Sequence, residues 1–306
     1  MIKVFIDGRE GTTGLQIDER LKERRDIEVI RLPEEQRKDV AARKEAINSS
    51  DVTFLCLPDA AAKEAVTLVE NPNTIVIDAS TAHRTLEGWA YGFAELSKDH
   101  RKAIAHAKRI ANPGCYASGF IALVYPLVTV GVLPPDYPLV CHAVSGYSGG
   151  GKKTIAQYES EGRDSSLDTP RIYALGLEHK HLPEMQKVCS LTRTPVFNPY
   201  ICDYYNGMSV SVPLFCDLLK AGSTKETIEK ILIEHYADSH FIKVKKADGF
   251  LGANALVGTN NMELFVSGNG ERILLTATLD NLGKGASGAA VQNMNIALGL
   301  DEKRGL

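Results

Sequence analysis

The sequence predicts two domains of different class. The first is an α/β domain on a doubly wound parallel sheet. The second is an α+β domain with a mostly antiparallel sheet, and a C-terminal helix returns to the first. Three observations carry this reading. In the first third, short continuous apolar runs alternate with helical segments, as expected of parallel strands covered on both faces. Beyond residue 115, β-like runs follow one another through turn signals such as "SGNGER". The closing "GKGASGAAVQNMNIALG" begins with small residues and then turns helical. At 306 residues the chain is long enough to bury two cores.

Taken in order, "IKVFID" is a strand that stops at a Gly-rich turn, and "GLQIDERLKER" is a helix with Leu15, Ile17 and Leu21 on one side. "IEVIRL" is the next strand and "RKDVAARKEAINS" the next helix. "DVTFLCLP" and "TIVIDAS" are strands, separated by the helix "AAAKEAVTLVE". "ASGFIALVYPLVTVGVLP" reads as a long apolar helix that breaks near Gly131, and "YPLVCHAVSGYSGGGKK" as a polar loop dense in turn signals. "HLPEMQKVCSL" is a helix with Pro183 in its first turn. Strands follow in "SVSVPLFCDLL" and "FIKVKKA", and "ELFVSGNGERILLTATLDNL" is a hairpin.

Hydrophobic residues make up 44% and charged residues 24%, with a formal net charge of -3, an ordinary globular balance without the basic footprint of a nucleic-acid or anionic-membrane binder. No apolar stretch reaches the ~18 residues of a membrane span. The opening "MIKVFIDGREG" lacks the order of a signal peptide, so a cytoplasmic protein with reduced thiols is expected. The six cysteines include no CxxC pair, which argues against a zinc framework. Cys56 and Cys141 lie in β-like runs and read as small buried hydrophobes.

Cys115 differs. In "NPGCYAS" a sharp turn delivers it to the start of an apolar helix, where peptide dipoles and N–H donors favour a thiolate and a developing oxyanion. The competing reading is a buried cap residue. The first turn, "DGREGTTG", has Gly8, Gly11 and Gly14 in a GxxGxxG spacing, a weak sign by itself of a dinucleotide site at a helix N-terminus. A Gly-rich turn without a ligand remains the alternative. The second strand ends in Arg31, with Arg37 and Lys38 beyond, and these cations suit NADP better than NAD, although Glu34 and Glu35 intervene. His179 and His181 precede a helix start with Glu184 in its first turn, and an extended lead-in puts both rings on one side. An acid/base imidazole fits better than a metal site, because no third ligand is adjacent, and a polar helix cap is the bland alternative. His142 reads as structural, and His100, His106, His235 and His240 as surface.

These residues together resemble the N-acetyl-γ-glutamyl-phosphate reductases, relatives of the aspartate-semialdehyde dehydrogenases. The resemblance spans nearly the whole chain. It rests on "GREGTTG" (8–14), "LCLPDAAAKEAV" (55–66), "DASTAHR" (78–84), "NPGCYAS" (112–118), "SGYSGGGKK" (145–153), "EHKHLPE" (178–184) and "DNLGKGASGAAVQNMN" (280–295). The short chain and its "GTTG" turn match the compact branch and depart from the "GxSGYxG" turn of the longer one. The resemblance implies a Rossmann-type NADP domain at 1–115 and 284–306, and a catalytic and oligomerisation domain at 116–283, assembled as a dimer or tetramer. It implies Cys115 as nucleophile, His181 as first choice for acid/base and His179 as second. It assigns Gly8, Gly11, Thr12, Thr13, Gly14, Arg31, Asn281, Lys284 and Gly285 to the cofactor. Arg84, Asn112, Ser145, Gly146, Lys152 and Glu184 go to the substrate, and no residue to a metal. The implied reaction is NADPH-dependent reduction of an acyl phosphate through a cysteine thioester. Reductases of aspartyl phosphate or of carrier-linked aminoadipyl or glutamyl phosphates share that logic. A nicotinamide-binding sensor without turnover is the reading from a different class.

Overall fold

The computed structural model describes residues 1–306, which divide into two compact units, Met1–Pro113 with Ala286–Leu306, and Gly114–Gly285. The helices are α1 (Thr12–Lys22), α2 (Val40–Asn48), α3 (Asp59–Thr67), α4 (Lys98–His106), α5 (Cys115–Thr129), α6 (Gly151–Tyr158), α7 (Leu182–Val188), α8 (Lys225–His235) and α9 (Gly288–Ala297).

In the first unit, β1 (Ile2–Asp7), β2 (Ile27–Ile30), β3 (Val52–Leu55), β4 (Ile75–Asp78), β5 (Ala90–Tyr91) and β6 (Arg109–Ala111) form a sheet in the order β2-β1-β3-β4-β6-β5, with every pair parallel. Successive side chains of a strand point to opposite faces. Val4 and Ile6 therefore share a core with Ile17 and Leu21 of α1, Ile104 of α4 and Met294 of α9. Phe5, between them, packs against Ala46 and Ile47 of α2 on the other face, and Leu55 packs with Ala65 of α3. Burying such a side chain contributes about 1.5–3 kcal/mol. Both faces are thus covered, which is why these strands carry no polar alternation. Leu15 departs from expectation at 44% exposure. The inner face of α1 is Gly14, Ile17 and Leu21, and the helical period turns Leu15 off that stripe. The strand order reverses at β1, which pairs with both β2 and β3, so a crevice opens at their carboxyl ends.

The second unit is built on β7 (Val140–Gly146), β8 (Arg171–Ile172), β9 (Val196–Cys202), β10 (Met208–Phe215), β11 (Ile242–Lys245), β12 (Met262–Gly268) and β13 (Arg272–Leu279), in the order β11-β12-β13-β10-β7-β9-β8. β7 with β9 and β11 with β12 are parallel, and the other pairs are antiparallel. The segment expected as a polar loop is instead β7, a 3-10 turn and the start of α6. Cys141, Ala143 and Ser145 alternate inward along β7, while three consecutive glycines after Ser148 give the stretch its loop-like composition.

Helix α5 packs on β10 and β13 and against α7 and α8, and nearly all of it is buried. It ends at Thr129, just before Gly131, as its sequence suggests. Pro126 lies inside it and has no N–H for the carbonyl of Ala122. The Tyr236 hydroxyl, just beyond α8, donates to that carbonyl at 2.8 Å.

Candidate functional site

In the first unit, a cavity of about 700 Å³ opens at the ends of β1 and β2 and the start of α3, lined among others by Gly8, Arg9, Arg31, Arg37, Lys38, Leu57 and Ala61. Gly8 turns the chain out of β1 with φ +81, and a Cβ there would lie 2.4 Å from the Cys56 carbonyl oxygen. Only glycine permits both that backbone conformation and that approach. The N-cap of α1 is Gly11, so no side chain caps the first-turn amides. Thr12 and Thr13 begin the helix, and the Thr12 hydroxyl is buried without a hydrogen-bond partner, as is Nε of Arg9. Uncapped amides, an orphaned hydroxyl and a rim of cations fit a nucleotide phosphate. Two of the acids on the wall are already paired, Asp7 with Arg43 at 2.8 Å and Glu10 with Arg37 at 3.2 Å. Burial pushes the Asp7 carboxyl up from the usual range, against the opposing pull of Arg43.

In the second unit, Cys115 is the first residue of α5 and half-buried, whereas Tyr116 to Val124 behind it are buried. Its N-cap is Gly114, which has no side chain to occupy the helix end. The Gly114 N–H donates to Oε2 of Glu184 at 3.2 Å, so the first turn of α7 anchors the turn that presents the thiol. Gly285 stands against the nucleophile, where a Cβ would lie 2.8 Å from Cys115 Cβ. The rings of His179 and His181 lie 4.7 Å apart, and both surround Tyr116, at 5.8 and 6.0 Å. Phe197 and Tyr173 complete the cluster. Burial, reinforced by the neighbouring Tyr173 and Cys115, holds the Tyr116 phenol well above its ordinary range. Burial does the same to Tyr173, so both hydroxyls stay protonated beside the thiol. Burial also raises the thiols of Cys56, Cys141 and Cys189, and none of the six cysteines is in a disulfide.

The lead-in to α7 is a turn rather than an extended segment, because the His181 backbone is already helical at φ -88 and ψ -11. The rings meet all the same, through a different contact. Nδ1 of His179 accepts the His181 N–H at 3.1 Å, and its Nε2 faces the Tyr173 hydroxyl at 3.4 Å. In this network Nδ1 of His179 is the acceptor, which fixes the ring's orientation toward His181.

Family models bear on both units. The semialdehyde dehydrogenase NAD binding domain matches residues 3–104, and the semialdehyde dehydrogenase dimerisation domain matches residues 115–281. The chain belongs to the semialdehyde dehydrogenase family. An N-acetyl-gamma-glutamyl-phosphate reductase of Burkholderia lata is 50% identical over 303 residues, 97% of this chain and 96% of that protein. One from Rhizobium meliloti is 48% identical over 305 residues, 97% and 98% of the two chains. Among solved structures, the fold matches aspartate semialdehyde dehydrogenase II of Vibrio cholerae with a TM-score of 0.74 at 14% identity, covering 97% of this chain and 98% of that one. It matches the Francisella tularensis aspartate semialdehyde dehydrogenase with a TM-score of 0.73 at 16% identity, covering 97% and 99%.

Against that family frame, several polar residues expected at ligands are engaged within their own unit. Asn112 is buried, its amide donating to the Ala286 carbonyl at 2.9 Å and accepting from Asn293 at 3.0 Å. Arg84 donates to the carbonyls of Asn112 and Ala79 at 2.9 and 3.1 Å, which ties down the end of β6. Asn281, expected at the cofactor, accepts from the Gly207 N–H at 2.8 Å and donates to Ser148 at 2.9 Å. Lys284 is buried with its ammonium 5.5 Å above the Phe241 ring. Ser145 and Gly146 close β7, with the Ser145 hydroxyl donating to the Gly146 carbonyl at 3.1 Å, while Lys152 is exposed on α6. The sequence reading missed Tyr116 and Tyr173. Tyr116 adjoins Cys115 in sequence, the one signal that could have singled it out. No group of His, Cys, Asp and Glu in the structure could hold a metal ion, and no helix is long and apolar enough to cross a membrane.

Proposed function

We propose that this chain reduces N-acetyl-L-glutamyl 5-phosphate to the 5-semialdehyde and phosphate with NADPH, through a thioester on Cys115. One observation carries the reading: a half-buried thiol at the first position of a buried helix, in a chain half identical to proteins named for that reduction. In this reading the first unit holds NADP, with Gly8, Gly11, Thr12, Thr13 and Gly14 at its phosphates and Arg31 at its ribose phosphate. The second unit carries the chemistry and the subunit contacts of a homodimer or homotetramer in the cytoplasm.

The Cys115 thiolate attacks the acyl carbon. The α5 amides bind the tetrahedral oxyanion, and its collapse expels phosphate and leaves the thioester. Bound NADPH supplies the hydride that reduces the thioester. His181 gives its proton to the hemithioacetal oxygen and retrieves it as the C–S bond breaks, releasing the aldehyde and the thiolate. His179 accepts the His181 N–H and faces the Tyr173 hydroxyl, so it orients its neighbour. Glu184 fixes the Gly114 turn.

The test is intact-protein mass spectrometry after mixing with acyl phosphate in the absence of NADPH. The wild type should gain the mass of one acyl group, and Cys115→Ser should gain none and lose at least ~10³-fold in kcat/KM. An equal adduct on Cys115→Ser rejects the nucleophile. Running β-aspartyl phosphate in parallel separates this substrate from the aspartyl alternative.

A further inference from the structure

Arg9 leaves the β1–α1 turn directly after Gly8, and Arg31 directly follows β2, yet their guanidinium groups converge on one carboxylate. Asp18 of α1 accepts from Arg9 at 2.8 Å and from Arg31 at 3.0 and 3.4 Å. All the other cations of that cavity wall except Lys38 are ion-paired elsewhere, Arg37 to Glu10 and Arg43 to Asp7. The shared carboxylate has 13% side-chain exposure and offsets the repulsion between two like charges that face the cavity. Nε of Arg9 is buried without a partner, an unmet donor beside the same cavity.

We propose that Arg9 and Arg31 form a two-guanidinium clamp for the phosphate on the adenosine ribose of NADP, held in register by Asp18. This rests on the NADP reading and adds Arg9 to it as a specificity-determining residue. A phosphomonoester dianion offers three oxygens, enough for a planar fork from each side, a geometry that an ammonium does not reproduce. Two guanidiniums and one carboxylate leave one net positive charge in the clamp, which attracts a ribose phosphate and gains nothing from a bare ribose hydroxyl.

Isothermal titration of the full chain with adenosine 2′,5′-bisphosphate and with 5′-AMP tests this without turnover. The wild type should prefer the bisphosphate. Arg9→Met and Arg31→Met should each weaken the bisphosphate about 10- to 100-fold and leave 5′-AMP unchanged, which also reports an intact fold. Arg9→Lys should fall between wild type and Arg9→Met. If Arg9→Met keeps the wild-type preference while Arg31→Met loses it, the phosphate belongs to Arg31 alone and the clamp is overturned. Equal weakening of both ligands by Arg9→Met moves Arg9 to the common 5′-phosphate and overturns it as well. A wild type without preference removes the NADP reading itself, and the clamp with it.

Discussion

A methyl group at position 285 is the smallest change that touches the nucleophile. In Gly285→Ala the new Cβ would lie 2.8 Å from Cys115 Cβ and 3.1 Å from the Asp280 carbonyl oxygen. The second neighbour is backbone and gives little, so the thiol must shift. We expect kcat/KM to fall about 10- to 100-fold, with a matching slowing of Cys115 alkylation by iodoacetamide. Wild-type alkylation and turnover would show that the thiol tolerates displacement. At this scale the sequence was legible where the chemistry is local. "NPGCYAS" carries its turn, its thiol and its apolar helix within seven residues. It was not legible where polar residues sit in Gly-rich segments. Asn112, Asn281 and Lys284 have the composition of ligands, and their burial and their internal partners are visible only in the structure. Tyr173 belongs to the cluster through long-range packing, which no local pattern encodes.

Among the elements, α5 places a proline where a helix normally keeps an N–H, and its orphaned carbonyl is met from outside the helix. Tyr236→Phe keeps the ring and removes the hydroxyl that serves Ala122. The buried carbonyl is then unsatisfied, and urea unfolding should register a loss of about 1–3 kcal/mol with an unchanged m-value. A neutral result would mean that solvent or a relaxed helix meets the carbonyl instead. The first four strands of the first unit were readable because they are short, largely apolar runs between amphipathic helices, whereas β5, α4 and β6 had no such signal. β7 and α6 were hidden by the glycines between them, whose turn composition outweighed the inward alternation of Cys141, Ala143 and Ser145. The approach to α7 was left open by the sequence: an extended lead-in would put both histidines on one side, but the helix has already begun to wind at His181.

At the scale of the molecule, the first unit is assembled from two stretches distant in sequence, Met1–Pro113 and Ala286–Leu306. Its core contains Ala290, Val291, Met294 and Ile296 of α9, and beyond the core Glu302 pairs with Arg101 while the Arg304 carbonyl accepts from Arg24. Deleting residues 286–306 should abolish binding of adenosine 2′,5′-bisphosphate, read by titration, because it removes one of the three helices, α1, α4 and α9, that cover one face of that sheet. Retention of wild-type affinity would show that α9 is dispensable to the unit. The arrangement also has a consequence for biosynthesis. A growing chain presents all six parallel strands early, but α9, one of the three helices on one side of their sheet, is made only after the whole second unit. At about 5–20 residues per second, the ribosome must complete the entire intervening unit while the apolar surface that α9 covers waits open for roughly ten seconds or more. The nascent protein should therefore depend on chaperone holding during that interval more than its modest size suggests, and should gain from a circular permutation that brings its last helix to the front.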